Sequence, residues 1–212
     1  MIDLDPTKAF IFRIAHVECV PWILQHGIHC RTSSQQDPHY INIGSKDLIE
    51  KRSRKTVPIL PGGTLSDYVP FYFTPLSIML CNIHTGHSVP QRSNEQIVIF
   101  VSSLHDIQAH GLPFVFTNQH AYAADTDYFN ELAQLDRIDC PLLRAHNFKT
   151  DDADPGKQLR YQAEALVHRH VPLQALRGIA CYDDVVKAKL ESLIAAHGST
   201  LKVVSKPGWY FR

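Results

Sequence analysis

The chain has 212 residues, 44% apolar and 20% charged, and its 21 Lys and Arg balance 21 Asp and Glu. This composition excludes collagen, coiled coil and disorder, and a chain this long buries about 70% of its unfolded surface, so it folds without metal or disulfide staples. Zero formal charge names no partner, and any nucleic-acid contact must come from local clustering of cations. The five scattered cysteines (Cys19, Cys30, Cys81, Cys140, Cys181) are odd in number and form no C-x-x-C pair, which points to reduced thiols in a cytoplasmic protein. Met1–Ile14 lacks a basic segment ahead of a long apolar one, so no signal peptide is expected. The longest apolar stretches fall far short of the roughly 20 residues that span a bilayer, so no membrane role is expected.

In chain order, the pattern predicts a strand over Ala9–Ile14 and a helix over Val17–Gln25, with Val20, Ile23 and Leu24 on one face and Gly27 as its stop. His29–Pro61 reads as a long polar functional loop with one helical turn near Asp47–Lys51 and the basic run Lys51-Arg52-Ser53-Arg54-Lys55. Strands are predicted at Tyr68–Phe73, Ile97–Ser102 and Phe114–Thr117. A second long irregular segment follows, from about Asn118 to Arg160. Further strands are predicted at Tyr161–His168, Leu176–Tyr182, Leu201–Val204 and Trp209–Phe211, and a helix over Asp183–His197 with Asp at its start and Gly198 past its end. The organisation is a single α+β domain, residues 1–212, with two large functional loops.

Several chemistries are absent as motifs. There is no paired Cys/His spacing for zinc, only His26, His29 and Cys30 as H-x-x-H-C, and no metal is expected. His168 and His170 flank Arg169 and, in an unbroken strand, would share a side, where they read as surface residues. No Gly-rich phosphate loop or nucleophile elbow occurs. Three residues remain. His16 closes the first strand, where a core or capping role competes with a functional one. Arg52 lies in the basic run, where a solvated face is the plain alternative. Glu164 interrupts the apolar run Tyr161-Gln162-Ala163-Glu164-Ala165-Leu166-Val167, where a carboxylate is costly unless paired or placed at a cleft.

Together these segments resemble the DarT family, NAD-dependent ADP-ribosyltransferase toxins that modify DNA in bacterial toxin–antitoxin pairs. The resemblance runs through Arg13-Ile14-Ala15-His16, Leu24, His26-Gly27-Ile28, Asn42-Ile43-Gly44 and Leu48-Ile49 with Arg52 and Val57. It continues in Asp67-Tyr68-Val69-Pro70-Phe71-Tyr72-Phe73, Ser77-Ile78-Met79-Leu80, Asp152-Ala153-Asp154-Pro155, Arg160 to Val167 and Lys206-Pro207-Gly208-Trp209-Tyr210. Ala15 departs from the pattern, since relatives often carry Thr there.

The resemblance implies an ADP-ribosyltransferase fold: two packed, mostly antiparallel sheets with an NAD cleft between them and peripheral helices. It implies an NAD-binding loop over about 38–56 and a substrate loop over about 117–164. Glu164 and Arg52 would be catalytic. Ile14, Ala15, His16, Leu24, Arg52, Tyr72 and Met79 would hold NAD, with His16 at the adenosine ribose and Arg52 at the NAD phosphates or the incoming base. DNA contacts are assigned to His120, Tyr122, Arg144, His146 and Arg160. A two-residue slip of the loop would exchange Arg52 for Arg54, and Arg52 is preferred because the family pattern places Val57 five residues after the arginine. The implied activity is transfer of ADP-ribose to thymine N3 of single-stranded DNA, blocking replication and reversed by a macrodomain antitoxin. The alternatives are transfer to guanine, RNA or protein, NAD hydrolysis, or a catalytically dead nucleic-acid-binding module.

Overall fold

The computed structural model describes residue 5 and residues 7–212; Asp3 and Pro6 of the opening stretch lie outside the described residues. Strand β1 (Phe10–His16) leads through a 3-10 turn, Val17–Cys19, into helix α1 (Val20–His26), and β2 (Ile28–His29) follows. Gly27 between them has φ +73, and a Cβ there would lie 2.5 Å from His170 Nε2 and from the Val171 carbonyl oxygen, so only glycine fits. Helix α2 (Lys46–Arg52) is capped by the Ser45 side chain, which accepts from Leu48 N. Then come β3 (Tyr68–Tyr72), α3 (Ile78–Thr85), β4 (Ile97–Ser103), α4 (Leu104–Ala109) and β5 (Phe114–Thr117). The chain closes with β6 (Tyr128–Phe129), α5 (Cys140–Ala145), α6 (Lys157–Arg160), β7 (Glu164–His168), β8 (His170–Val171), β9 (Gly178–Cys181), α7 (Asp184–Ala196) and β10 (Lys202–Ser205).

The sheet order is β10-β9-β4-β1-β3-β7-β5-β6, with β2 and β8 as a separate pair. All neighbours are antiparallel except β10 on β9. The two expected sheets are the two halves of this array. β1 pairs with β4 along its whole length, from Phe10 opposite Ser103 to His16 opposite Ile97, yet it meets β3 only where Phe12 faces Tyr72. Pro70 is the physical reason. Continuing the register would set Pro70 opposite Ile14, and proline has no N–H to give. The Pro70 carbonyl instead accepts a side-chain bond, 2.9 Å, from Arg13 Nη1. The sheet therefore splits at the C-terminal end of β1, and the split ends beside His16.

Both halves are anchored in one core, which includes Ile11, Val69, Phe71, Val98, Phe100, Phe116, Ala165 and Val167, all fully buried. Helix α7 buries Val186, Leu190 and Ile194, four residues apart, with Asp183 Oδ1 accepting from Val186 N at 2.8 Å. Among the described residues no helix is long and apolar enough to cross a membrane.

Four local expectations are corrected. Tyr161–Ala163 is a turn leaving α6, held by Gln162 N and Ala163 N on the Leu159 and Arg160 carbonyls, so Glu164 opens β7 instead of sitting mid-strand. Trp209–Phe211 is no strand: Pro207 starts a 3-10 turn and Trp209 packs edge-on against Phe12 at 5.3 Å. The second long segment is more regular than its polar composition suggests, since it holds β6, α5 and α6. Arg169 at φ 65 interrupts the strand between His168 and His170, so His168 meets Tyr68 and His170 stacks on His29 at 4.2 Å.

Candidate active site

Glu164 sits at the head of β7, opposite Tyr72 of β3, and its side chain is only 4% exposed. Its backbone N–H donates to Thr117 Oγ1 at 3.2 Å, and the same hydroxyl donates to the Gln119 carbonyl at 2.6 Å. One fully buried threonine thus ties β7 to the start of the second long segment. Glu164 Oε1 accepts from Ala121 N at 3.1 Å, and both carboxylate oxygens accept from Arg52 Nη1, at 3.2 and 2.9 Å. His120 Nδ1 lies 3.8 Å from Oε1 and accepts from Tyr122 N at 3.1 Å. The Arg52 side chain is 12% exposed, so the ion pair operates largely out of water, where charges interact strongly.

Arg52 reaches Glu164 from the last turn of α2, across 112 positions of sequence. Arg54 instead bonds Glu50 on the exposed side of the loop. The geometry therefore joins Arg52, and not Arg54, to Glu164. Lys55 Nζ donates to the Ala123 carbonyl at 3.2 Å, clipping the first loop to the second beside this pair.

Tyr72 Oη donates to Met79 Sδ at 3.2 Å, and Gly44 of the first loop packs toward the Met79 methyl. Burial, reinforced by Glu164, pushes the Tyr72 phenol well above its ordinary value, keeping it a donor. Tyr128 Oη donates to the Ala121 carbonyl at 2.5 Å, and burial with nearby Glu164 pushes it up to about 12. Ile14, Ala15, His16 and Leu24 are buried along β1 and α1. His16 Nδ1 accepts from Glu18 N at 3.2 Å, so the neutral ring carries its proton on Nε2 and is left to donate there. Burial first, then Arg92, hold this imidazole below its ordinary value, with Glu18 opposing.

The expected DNA-contacting residues are held in different ways. His120 lies beside Glu164, and Tyr122, whose backbone N–H donates to His120 Nδ1, is exposed. Arg144 and His146 end α5, where Arg144 Nε is held by the Cys140 carbonyl. Arg160 is gripped by Asp154 at 2.9 and 2.5 Å and by Asp139 at 3.3 Å, so its guanidinium braces the loop internally. Sequence reasoning missed Thr117, the Ala121 amide and Arg13, and offered Tyr128 only as a platform for an unpaired base.

A strand-borne carboxylate clamped by an arginine of the first loop, within a mostly antiparallel sheet, has the layout of an ADP-ribosyltransferase. It can face a ribose that becomes cationic as its glycosidic bond breaks. The family model described as "ssDNA thymidine ADP-ribosyltransferase, DarT" matches residues 12–211, and the chain belongs to this family. A DNA ADP-ribosyl transferase of Escherichia coli O127:H6 (strain E2348/69) is 50% identical over 210 residues, covering 99% of this chain and 96% of the relative. DarT of Thermus sp. 2.9 in complex with ADP-ribosylated ssDNA superposes with a TM-score of 0.91 at 30% identity, each chain covered completely. The same Thermus protein in complex with NAD+ gives 0.85 at 29% identity, covering 96% of this chain and 98% of that one.

Proposed function

We propose that this chain transfers ADP-ribose from NAD to N3 of thymine in single-stranded DNA, releasing nicotinamide. The observation that carries it is the Glu164 carboxylate, buried at the head of β7 and fixed there by Arg52 and the Ala121 amide. Membership of a family whose model is described as acting on ssDNA thymidine supports the acceptor, and relatives solved with NAD+ and with ADP-ribosylated ssDNA support both substrates.

The bond from the ribose anomeric carbon to the nicotinamide nitrogen breaks, and nicotinamide leaves with the electron pair. Positive charge builds on the ribose, where a fixed carboxylate stabilises it and accepts from a ribose hydroxyl. Thymine N3 then bonds to the anomeric carbon and loses its proton to solvent. A guanidinium is a poor base, so Arg52 supports the anion that develops on the base. Glu164 and Arg52 are the catalytic pair; Ile14, Ala15, His16, Leu24, Tyr72 and Met79 hold NAD, and His120 and Tyr122 meet the base. The first loop, about 38–56, closes over NAD, and the loop over about 117–164 receives DNA. N3 is a Watson–Crick donor, so a bulky charged adduct there stops template reading. Such damage from within a cytoplasm calls for an antitoxin macrodomain that removes ADP-ribose.

The test is mass spectrometry of thymine-containing single-stranded oligonucleotides incubated with NAD and either wild type or Glu164→Gln. Glutamine keeps an acceptor for Arg52 and Ala121 while removing the charge. One added ADP-ribose with wild type, lost in the variant, supports the reading. Label only on RNA or protein, or NAD consumed with no adduct on DNA, refutes it.

A further inference from the structure

Arg13 lies in β1 with most of its side chain packed away from water, and only one of its donors is accounted for by the fold. Nη1 reaches the Pro70 carbonyl, while Nε is buried without an acceptor among the described residues. Arg52 repeats the pattern: Nη1 holds Glu164, and Nη2 is buried without an acceptor. Arg13 has Tyr40, Tyr72, Arg52 and Cys19 as its chief charged or ionisable neighbours, and no carboxylate among them. Tyr40 belongs to the first loop, and Tyr72 ends β3 opposite Phe12 of β1. Cys19 Sγ accepts from Ile41 N of the same loop at 3.5 Å, so Arg13 lies beneath the segment expected to cover NAD.

Two guanidiniums here face one carboxylate. A buried N–H without a partner costs free energy, and a buried cation without an anion costs more. A structure keeps such donors where a ligand completes them. The charge left over is positive, and the donors belong to side chains whose planar forks suit phosphate oxygens.

We propose that Arg13, together with Arg52, grips the diphosphate of NAD. This rests on NAD being the substrate of the site. The diphosphate supplies two negative charges to a cleft with one positive charge in excess, and its oxygens complete the Arg13 Nε and Arg52 Nη2 donors. Arg13 touches no reacting bond, so it is a binding and positioning residue. Its hold on Pro70 keeps the fork aimed into the split, at the point where proline has removed the backbone ladder.

The experiment compares two probes, ADP-ribose and adenosine, on wild type, Arg13→Gln and Arg13→Lys by calorimetric titration. Hydrogen bonds to charged groups are strong enough that Arg13→Gln should weaken ADP-ribose by about tenfold or more, with adenosine changed by less than about twofold. Arg13→Lys keeps the charge but loses the fork and should fall between. A structural role would weaken both ligands together, so an equal loss, or none, overturns the proposal. Loss of oligonucleotide affinity at unchanged ADP-ribose affinity would assign Arg13 to a DNA phosphate and overturn it as well. Failure of wild type to bind ADP-ribose would remove the NAD reading itself, along with this inference. Should the glutamine variant not fold, the ratio of the two affinities in Arg13→Lys decides.

Discussion

Replacing Thr117 by Val tests whether one hydroxyl holds Glu164 to the second long loop. Valine matches threonine in shape, so no cavity opens in a site that is fully buried. The change removes the acceptor for Glu164 N at 3.2 Å and the donor to the Gln119 carbonyl at 2.6 Å. Each stranded buried group costs about 1–3 kcal/mol, so the pair should cost about 2–6 kcal/mol. For a domain of this size that lowers the melting temperature by roughly 4–24 °C. Thr117→Ser keeps both bonds and loses one methyl, at about 0.5–1.5 kcal/mol. The Glu164 backbone and the Ala121 amide share this anchor, so a shift there misplaces the carboxylate and should cut kcat between about tenfold and hundredfold. Urea unfolding and initial rates of oligonucleotide modification, run on both variants, give the answer. A valine variant as stable and as active as the serine variant would refute the reasoning.

Tyr128→Phe removes the 2.5 Å bond to the Ala121 carbonyl, whose own amide holds Glu164. About 1 kcal/mol is expected in stability, and up to about fivefold in kcat if all of it reaches the transition state; a lower rate with unchanged KM for NAD is the expected result, and full activity would count against the link. Acidification should destabilise the protein: burial holds His16 and His29 below their ordinary values, helped by Arg92 and by His170 respectively. Their contribution is complete above about pH 6.5, the unfolded value, and is lost as pH falls through the lower folded values. Asp67 and Asp106 are also held low, but they act only in the carboxylate range, so unfolding at pH 7.5, 6.5 and 5.5 isolates the histidines. Stability that stays flat or rises over that span would contradict the sign.

Period-two runs of aromatic and branched residues made β1, β3, β4 and β5 legible in the sequence, and the start and stop residues of α7 marked it within a residue or so. Helix α3 escaped, although Ser77 caps it and Gly86 stops it at φ 74; those two signals, with Leu80 and Ile83 three apart, could have found it. Glu164 was visible because a carboxylate in an apolar run is costly, and the same argument applied to Phe12-Arg13-Ile14 would have singled out Arg13. What brings Arg52 to Glu164 was not legible. The pair spans 112 positions, and it depends on how far α2 leans across the sheet, which no local pattern encodes. Arg160 shows the opposite case, a basic residue suited to phosphate in sequence whose charge the fold spends on Asp154 and Asp139.

The position of the site follows from the one residue that cannot complete the sheet. A full ladder between β1 and β3 would satisfy the backbone from Phe12 to His16 and leave no opening. Pro70 breaks it, and Arg13 answers the freed carbonyl from within the gap. Arg52 meets Glu164 opposite Tyr72, away from water. A buried pair of this kind adds little net stability, because desolvating both charges offsets their attraction, whereas removing one partner strands the other at about 3–5 kcal/mol. Its presence therefore argues for function over stability: a fold seeking only stability would place apolar residues at 52 and 164. The pair instead keeps a carboxylate and a guanidinium dry, opposed and held by the backbone, the preorganisation that a passing ribosyl cation requires.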